Sequence, residues 1–126
     1  MARVLVIDDS KFSRGMTSRI LREAGHEVLE ACDGERGLEA VREHNPDCVV
    51  LDLLMPVLDG PGFLGRVRGE GSDLPVVVAS ADIQASSRRM CEELGISGFV
   101  NKPVRADELC PCVERAIRGP STGEDQ

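Results

Sequence analysis

Three unbroken apolar runs constrain this chain most: Val4-Leu5-Val6-Ile7, Cys48-Val49-Val50-Leu51 and Val76-Val77-Val78-Ala79. A strand whose successive side chains are all apolar has no face to give to water. Such strands belong inside a parallel sheet covered by helices on both faces. Glu27-Val28-Leu29-Glu30-Ala31 is mixed, as an edge strand would be, and Ser97 to Val100 reads as a short last strand. Parallel neighbours need long crossovers, and helical spacings fill each gap. The expected fold is therefore α/β: five β-α units with right-handed crossovers, in a three-layer doubly wound (βα)5 sandwich of the flavodoxin-like kind.

The helices carry their own signals. Phe12, Met16, Ile20 and Ala24 recur at every fourth residue, and Ser10 can cap that helix. Asp33 can cap a second, whose apolar stripe includes Leu38 and Val41. Phe63, Leu64 and Val67 mark a short third, closed by Gly69-Glu70-Gly71. Ile83 through Leu94 forms a fourth, with Gly95 placed to end it. A fifth covers about Ala106 to Ile117. There Arg105 offers no short polar side chain to cap the helix start, and Pro111 removes a backbone donor and crowds the carbonyl of Asp107. A kink or a delayed start is expected.

The chemistry lies where the runs end. Asp8-Asp9 follow the first, Asp52 follows the second, and Lys102-Pro103 follow Gly98-Phe99-Val100-Asn101. In a parallel sheet all of these emerge at one edge, where the ligand sites of doubly wound folds lie. Three carboxylates and one ammonium leave two negative charges, which a divalent cation cancels. Mg²⁺ suits an all-oxygen site that keeps waters. A carboxylate held there can act as nucleophile toward a phosphoryl group.

Composition narrows the classes. With 126 residues and 41% hydrophobic content, the chain suits one domain with a real core. Its 22 acidic against 15 basic side chains give −7, which argues against direct nucleic-acid or anionic-membrane binding. No apolar stretch approaches the ~18 residues of a membrane helix, and Met1-Ala2-Arg3-Val4 shows no signal-peptide pattern. A soluble cytoplasmic protein is expected. Cys32, Cys48, Cys91, Cys110 and Cys112 are odd in number and lack zinc spacing, so reduced thiols are expected. Cys48 reads as a small buried hydrophobe, and Cys110-Pro111-Cys112 as chance neighbours on a helix. His26 and His44 fall far from the strand-end cluster. Residues 119–126 read as a loose tail behind a domain of residues 1–118.

Four segments together resemble the receiver domain of two-component response regulators. They are Val6-Ile7-Asp8-Asp9-Ser10; Leu51-Asp52-Leu53-Leu54-Met55-Pro56 with Asp59-Gly60; Val78-Ala79-Ser80-Ala81; and Phe99-Val100-Asn101-Lys102-Pro103. The resemblance covers about residues 3 to 118 and implies a sheet order of 2-1-3-4-5. It implies a stand-alone, CheY-like regulator without an output domain. By the same resemblance Asp52 is the phosphoacceptor. Asp9, Asp52 and the backbone carbonyl of Leu54 would ligate Mg²⁺ (or Mn²⁺), and Asp8 would act mainly through metal-bound water. Ser80 would bond the phosphoryl group and Lys102 would pair with it. Phe99 takes the aromatic switch position, and the Lys102-Pro103 bond would be cis. Leu54 and Asp82 take positions that tune phosphoaspartate hydrolysis. Leu54 offers no polar atom to orient water, so a long-lived phosphorylated state is expected. The implied partners are a sensor histidine kinase or phosphotransfer protein and a downstream protein target. The last helix would share an output face with the fourth helix and fifth strand.

Other classes fit less well. A phosphorylation-independent interaction module would not need the intact acidic cluster with Lys102. A Mg²⁺ phosphatase of the haloacid dehalogenase type wants Asp-x-Asp, whereas Asp8 and Asp9 are adjacent. A nucleotide carrier wants a Gly-rich loop after the first strand. The expectation is a switch that catalyses only its own phosphorylation and dephosphorylation.

Overall fold

The computed structural model describes residues 2–53, 58–81 and 85–119, with the side chains of 85–87 and 90 excepted. Five strands and five helices alternate: β1 (Arg3–Ile7), α1 (Lys11–Glu23), β2 (Glu27–Ala31), α2 (Gly34–His44), β3 (Cys48–Leu51), α3 (Gly60–Gly69), β4 (Val76–Ser80), α4 (Ala85–Leu94), β5 (Gly98–Asn101) and α5 (Ala106–Arg118). The sheet is parallel throughout, in the order β2-β1-β3-β4-β5. The three apolar runs are its central strands, and the mixed run is an edge.

Alternation along each strand splits the core into two layers. Leu5, Ile7, Val49, Leu51, Val76 and Val78 meet Phe63 and Leu64 of α3 and Leu38 of α2 on one face. Val4, Val6, Cys48, Val50 and Val77 meet Leu21 of α1 and Leu109, Cys112 and Val113 of α5 on the other. The α5 layer is tight: a Cβ on Gly98 would collide with Cys112 Sγ.

The expected caps form. Ser10 Oγ accepts from the Ser13 amide at 3.2 Å, and Asp33 Oδ1 from the Arg36 amide at 2.8 Å. Asp59 caps α3 through the Gly62 amide at 2.8 Å. Gly71 and Gly95 take positive φ after α3 and α4, at +86° and +89°.

Two expectations are corrected. In α1 the row at every fourth residue is not the buried face. Phe12 and Met16 are 77% and 41% exposed, while Thr17, Ser18 and Leu21 are buried. Steps of four residues wind about 40° each around a helix of ~3.6 residues per turn, so such a row leaves the core face within two turns. In α5 the start is not delayed: the helix runs from Ala106 through Pro111 to Arg118. Arg105 makes no side-chain cap bond. Instead its guanidinium grips Asp107 at 2.8 and 3.0 Å, and this bond holds the Asp107 carboxyl below its usual range. Asp107 and Glu108 suit the positive end of the helix dipole. The buried stripe Leu109, Cys112, Val113 and Ala116 then carries the helix past the proline.

Candidate phosphoacceptor and metal site

Strand register assembles the site. Ile7 pairs with Leu51, Leu51 with Val78, and Val78 with Phe99. The next residues on β1 and β3 are therefore neighbours, Asp8 beside Asp52. Both strand ends continue the ladder, with the Asp8 amide on Ala31 O at 3.1 Å and the Asp52 amide on Ile7 O at 3.0 Å. One level further, Ser80 pairs with Asn101, and the Lys102 amide donates to Ser80 O at 3.0 Å. Lys102 thus leaves β5 beside the end of β4 and reaches over both carboxylates.

Asp8, Asp9 and Asp52 each place a carboxylate oxygen within 4.8 Å of the others. Asp8 and Asp52 are only 3% and 7% exposed, whereas Asp9 is open to solvent. Lys102 Nζ lies 2.7 Å from Asp8 Oδ2 and 3.5 Å from Asp52 Oδ1. The other oxygen of Asp8 accepts the Ser10 amide at 2.9 Å. One ammonium cannot neutralise three carboxylates, two of them nearly dry. Such a donor set, all hard oxygen with one open member, fits a partly hydrated Mg²⁺. The site residues match the group the sequence implied.

The remaining sequence candidates divide. Ser80 is fully buried at the end of β4. The Lys102-Pro103 bond is cis. Phe99 is half-buried on the α4 side of the sheet. The Arg88 guanidinium stands 5.1 Å from its ring centre, and Arg88 Nε also pairs with Glu92 at 3.3 Å. Leu54 and Asp82 lie outside the described residues. His44 is exposed, and His26 Nδ1 accepts the Ala2 amide at 3.3 Å at the opposite sheet edge. The cysteines are free thiols. Burial beside Cys112 pushes the Cys48 thiol up to about 12, so it behaves as a hydrophobe.

Sequence reasoning missed three residues around the cluster. Arg14 donates from Nη1 to the Asp8 carbonyl at 2.8 Å. Its signal was spacing: it shares a helical row with Thr17, Ser18 and Leu21, and a charge on a buried row implies a partner. Phe12 and Met16 are the others. They line a groove of about 320 Å³ with Ala81, Lys102 and Pro103, beside the acidic cluster. Among the described residues, no helix is long and apolar enough to cross a membrane.

Known proteins share this sequence pattern and this build. Residues 4–114 match the family described as "Response regulator receiver domain". The transcriptional regulatory protein PrrA of Mycobacterium tuberculosis is 38% identical over 116 residues, spanning 92% of this chain and 50% of PrrA. Among solved structures, the chemotaxis protein CheY4 of Vibrio cholerae superposes with a TM-score of 0.86 at 30% identity, covering 92% of this chain and 98% of that one. The signal receiver domain of NarL from Mycobacterium tuberculosis gives 0.87 at 30%, covering 94% and 98%. The chain spans about half the length, or less, of the curated relatives it matches. With the sheet order and the strand-end carboxylates already in place, these matches mean that the chain belongs to the receiver domain family of response regulators, the switches of two-component signalling.

Proposed function

We propose that this receiver accepts a phosphoryl group on Asp52 from a phosphohistidine of a partner kinase or phosphotransfer protein, and that the phosphorylated form alters binding to a downstream protein. The observation that carries this reading is the convergence of Asp8, Asp9 and Asp52 under Lys102 at one sheet edge. An Asp52 oxygen attacks phosphorus as the P–N bond breaks. The imidazole, protonated on its other ring nitrogen, leaves with that electron pair and so ends neutral, and Asp52 becomes an acyl phosphate. Asp9 and Asp52, with Asp8 behind them and the carbonyl of Leu54, would hold Mg²⁺ (or Mn²⁺). Bound there, the ion would neutralise the carboxylates and the phosphoryl oxygens.

The residues around the acceptor supply the rest. Lys102 holds Asp8 and Asp52 together and offers its ammonium to the phosphoryl group. Ser80, one level past Asp52 on the adjacent strand, offers a hydroxyl to the same group. Bonds made there would bias the β4–α4 segment, with Phe99 answering by packing alone. In this reading Leu54 and Asp82 set the lifetime of the acyl phosphate, which Leu54→Asn would shorten. The protein acts as a switch, catalysing only its own phosphorylation and dephosphorylation, in a reducing cytoplasm that suits its free thiols. Exposed Phe12 and Met16 beside the site supply apolar surface for the phosphate-donating partner.

The test is incubation with Mg²⁺ and a small phosphodonor, read by intact mass. Wild type should gain the mass of one phosphate, and Asp52→Asn should gain none. A wild-type mass that never rises, or an Asp52→Asn variant phosphorylated equally, would refute the assignment.

A further inference from the structure

Arg14 has no part in the phosphoryl transfer just described, yet it is bonded into the frame of the site. Its side chain is only 16% exposed. Nη1 donates to the Asp8 carbonyl at 2.8 Å, and Nε donates to Glu30 Oε1 at 3.1 Å. Strand β2 ends at Ala31, whose carbonyl takes the Asp8 amide at 3.1 Å. Arg14 donates just beyond, where the next rung of the β1–β2 ladder would come. It ties α1, β1 and β2 together at the residue where the acidic cluster begins.

We propose that Arg14 is a positioning residue of the acidic pocket, fixing the Asp8-Asp9 turn so that both carboxylates face a divalent cation; this deepens the Mg²⁺-dependent receiver reading and rests on it. The Asp8 carboxylate is held at both oxygens, by the Ser10 amide and by Lys102. Its backbone amide is held by Ala31. The carbonyl is the remaining anchor, and it belongs to the planar peptide linking Asp8 to Asp9. Tilting that plane re-aims the Asp9 side chain. Asp9 is exposed, so backbone direction rather than packing sets where its carboxylate points.

Charge makes the proposal testable in sign. A bare guanidinium this close would repel Mg²⁺. Glu30 faces Arg14 at 3.1 Å, so these two groups together add no net charge. If Arg14 acted only as a charge, removing it would tighten Mg²⁺ binding. If it positions Asp8 and Asp9, removing it weakens binding.

The experiment measures Mg²⁺ affinity of the folded protein by titration calorimetry for wild type, Arg14→Ala and Arg14→Lys. Melting curves in chelator and phosphate uptake at saturating Mg²⁺ accompany it. Supporting atoms behind metal ligands typically shift affinity by about tenfold or more. Arg14→Ala should raise the Mg²⁺ Kd by about that factor, with uptake at saturating Mg²⁺ within about twofold of wild type, because the nucleophile and Lys102 are untouched. Arg14→Lys keeps the charge and one of the two bonds, and should fall between. Should Arg14→Ala fail to fold, Arg14→Lys alone decides by the same criterion. An unchanged Kd with a lowered melting temperature would make Arg14 a packing residue and overturn the proposal, and a tighter Kd would overturn it too. A wild type that binds no Mg²⁺ would overturn the Mg²⁺-dependent function proposed above, and the positioning role with it.

Discussion

Replacing Lys102 by Met keeps the length of the side chain and removes its charge. In the free protein this leaves Asp8, Asp9 and Asp52 within 4.8 Å of each other without their ammonium. At an effective dielectric of about 20, unit charges at the observed 2.7 and 3.5 Å attract by roughly 6 and 5 kcal/mol. Desolvation of the buried groups offsets much of that. Breaking a buried pair by removing one partner still costs about 3 kcal/mol. Lys102→Met should therefore lose about 3 kcal/mol in urea unfolding without divalent ions, followed by far-UV circular dichroism because the chain has no Trp or Tyr. Mg²⁺ should narrow that difference. The variant pocket carries one more net negative charge and binds the ion more tightly, so millimolar Mg²⁺ should restore stability to the variant more than to wild type. A variant within about 0.5 kcal/mol of wild type in both conditions would lie in the range of ordinary surface changes and would refute the claim that Lys102 balances this cluster.

Other outcomes follow from the same structure. Phe12→Ala should slow phosphate transfer from a partner kinase by about tenfold, as loss of an aromatic anchor does, while leaving uptake from a small donor unchanged. Equal slowing with both donors would remove Phe12 from the docking surface. Arg88→Ala should free the Phe99 ring, visible as a shift and broadening of its NMR signals; an unchanged ring environment would show that the 5.1 Å contact does not hold it. The Cys48 thiol, raised to about 12, stays protonated in the folded protein while the unfolded chain ionises above about 9. Its stabilising effect is complete below pH 9 and fades at higher pH by about 1.4 kcal/mol per unit. Urea unfolding at pH 7.5 and 10.5 should show a smaller pH loss for Cys48→Ala, and parallel losses would contradict the assignment. Gly98→Ala should cost about 1–3 kcal/mol through the collision with Cys112 Sγ, and Cys112→Ala should recover most of it in the double variant.

The strand ends were legible in the residues alone, and so was the site they build. Val4–Ile7 and Cys48–Leu51 could only be central strands, because no face of either tolerates water. Once they are parallel, Asp8 and Asp52 leave the sheet at the same edge whatever else the chain does. Ser10 and Asp33 announced their caps by the same local logic, since a cap is a contact over three residues. These features need only short-range sterics and the two-residue period of a strand.

The faces of the helices were another matter. Phe12 and Met16 looked like a core row, yet the core took Thr17, Ser18 and Leu21. Pro111 looked like an obstacle at the start of α5, yet Leu109, Cys112 and Val113 carry the helix through it. Arg14 gave no sequence signal that its contacts would be the Asp8 carbonyl and Glu30. Each of these depends on which distant segment lies opposite, and on the burial that contact allows. Periodicity tells a helix that it has a buried side; the rotation that chooses the side is set by the sheet it lands on.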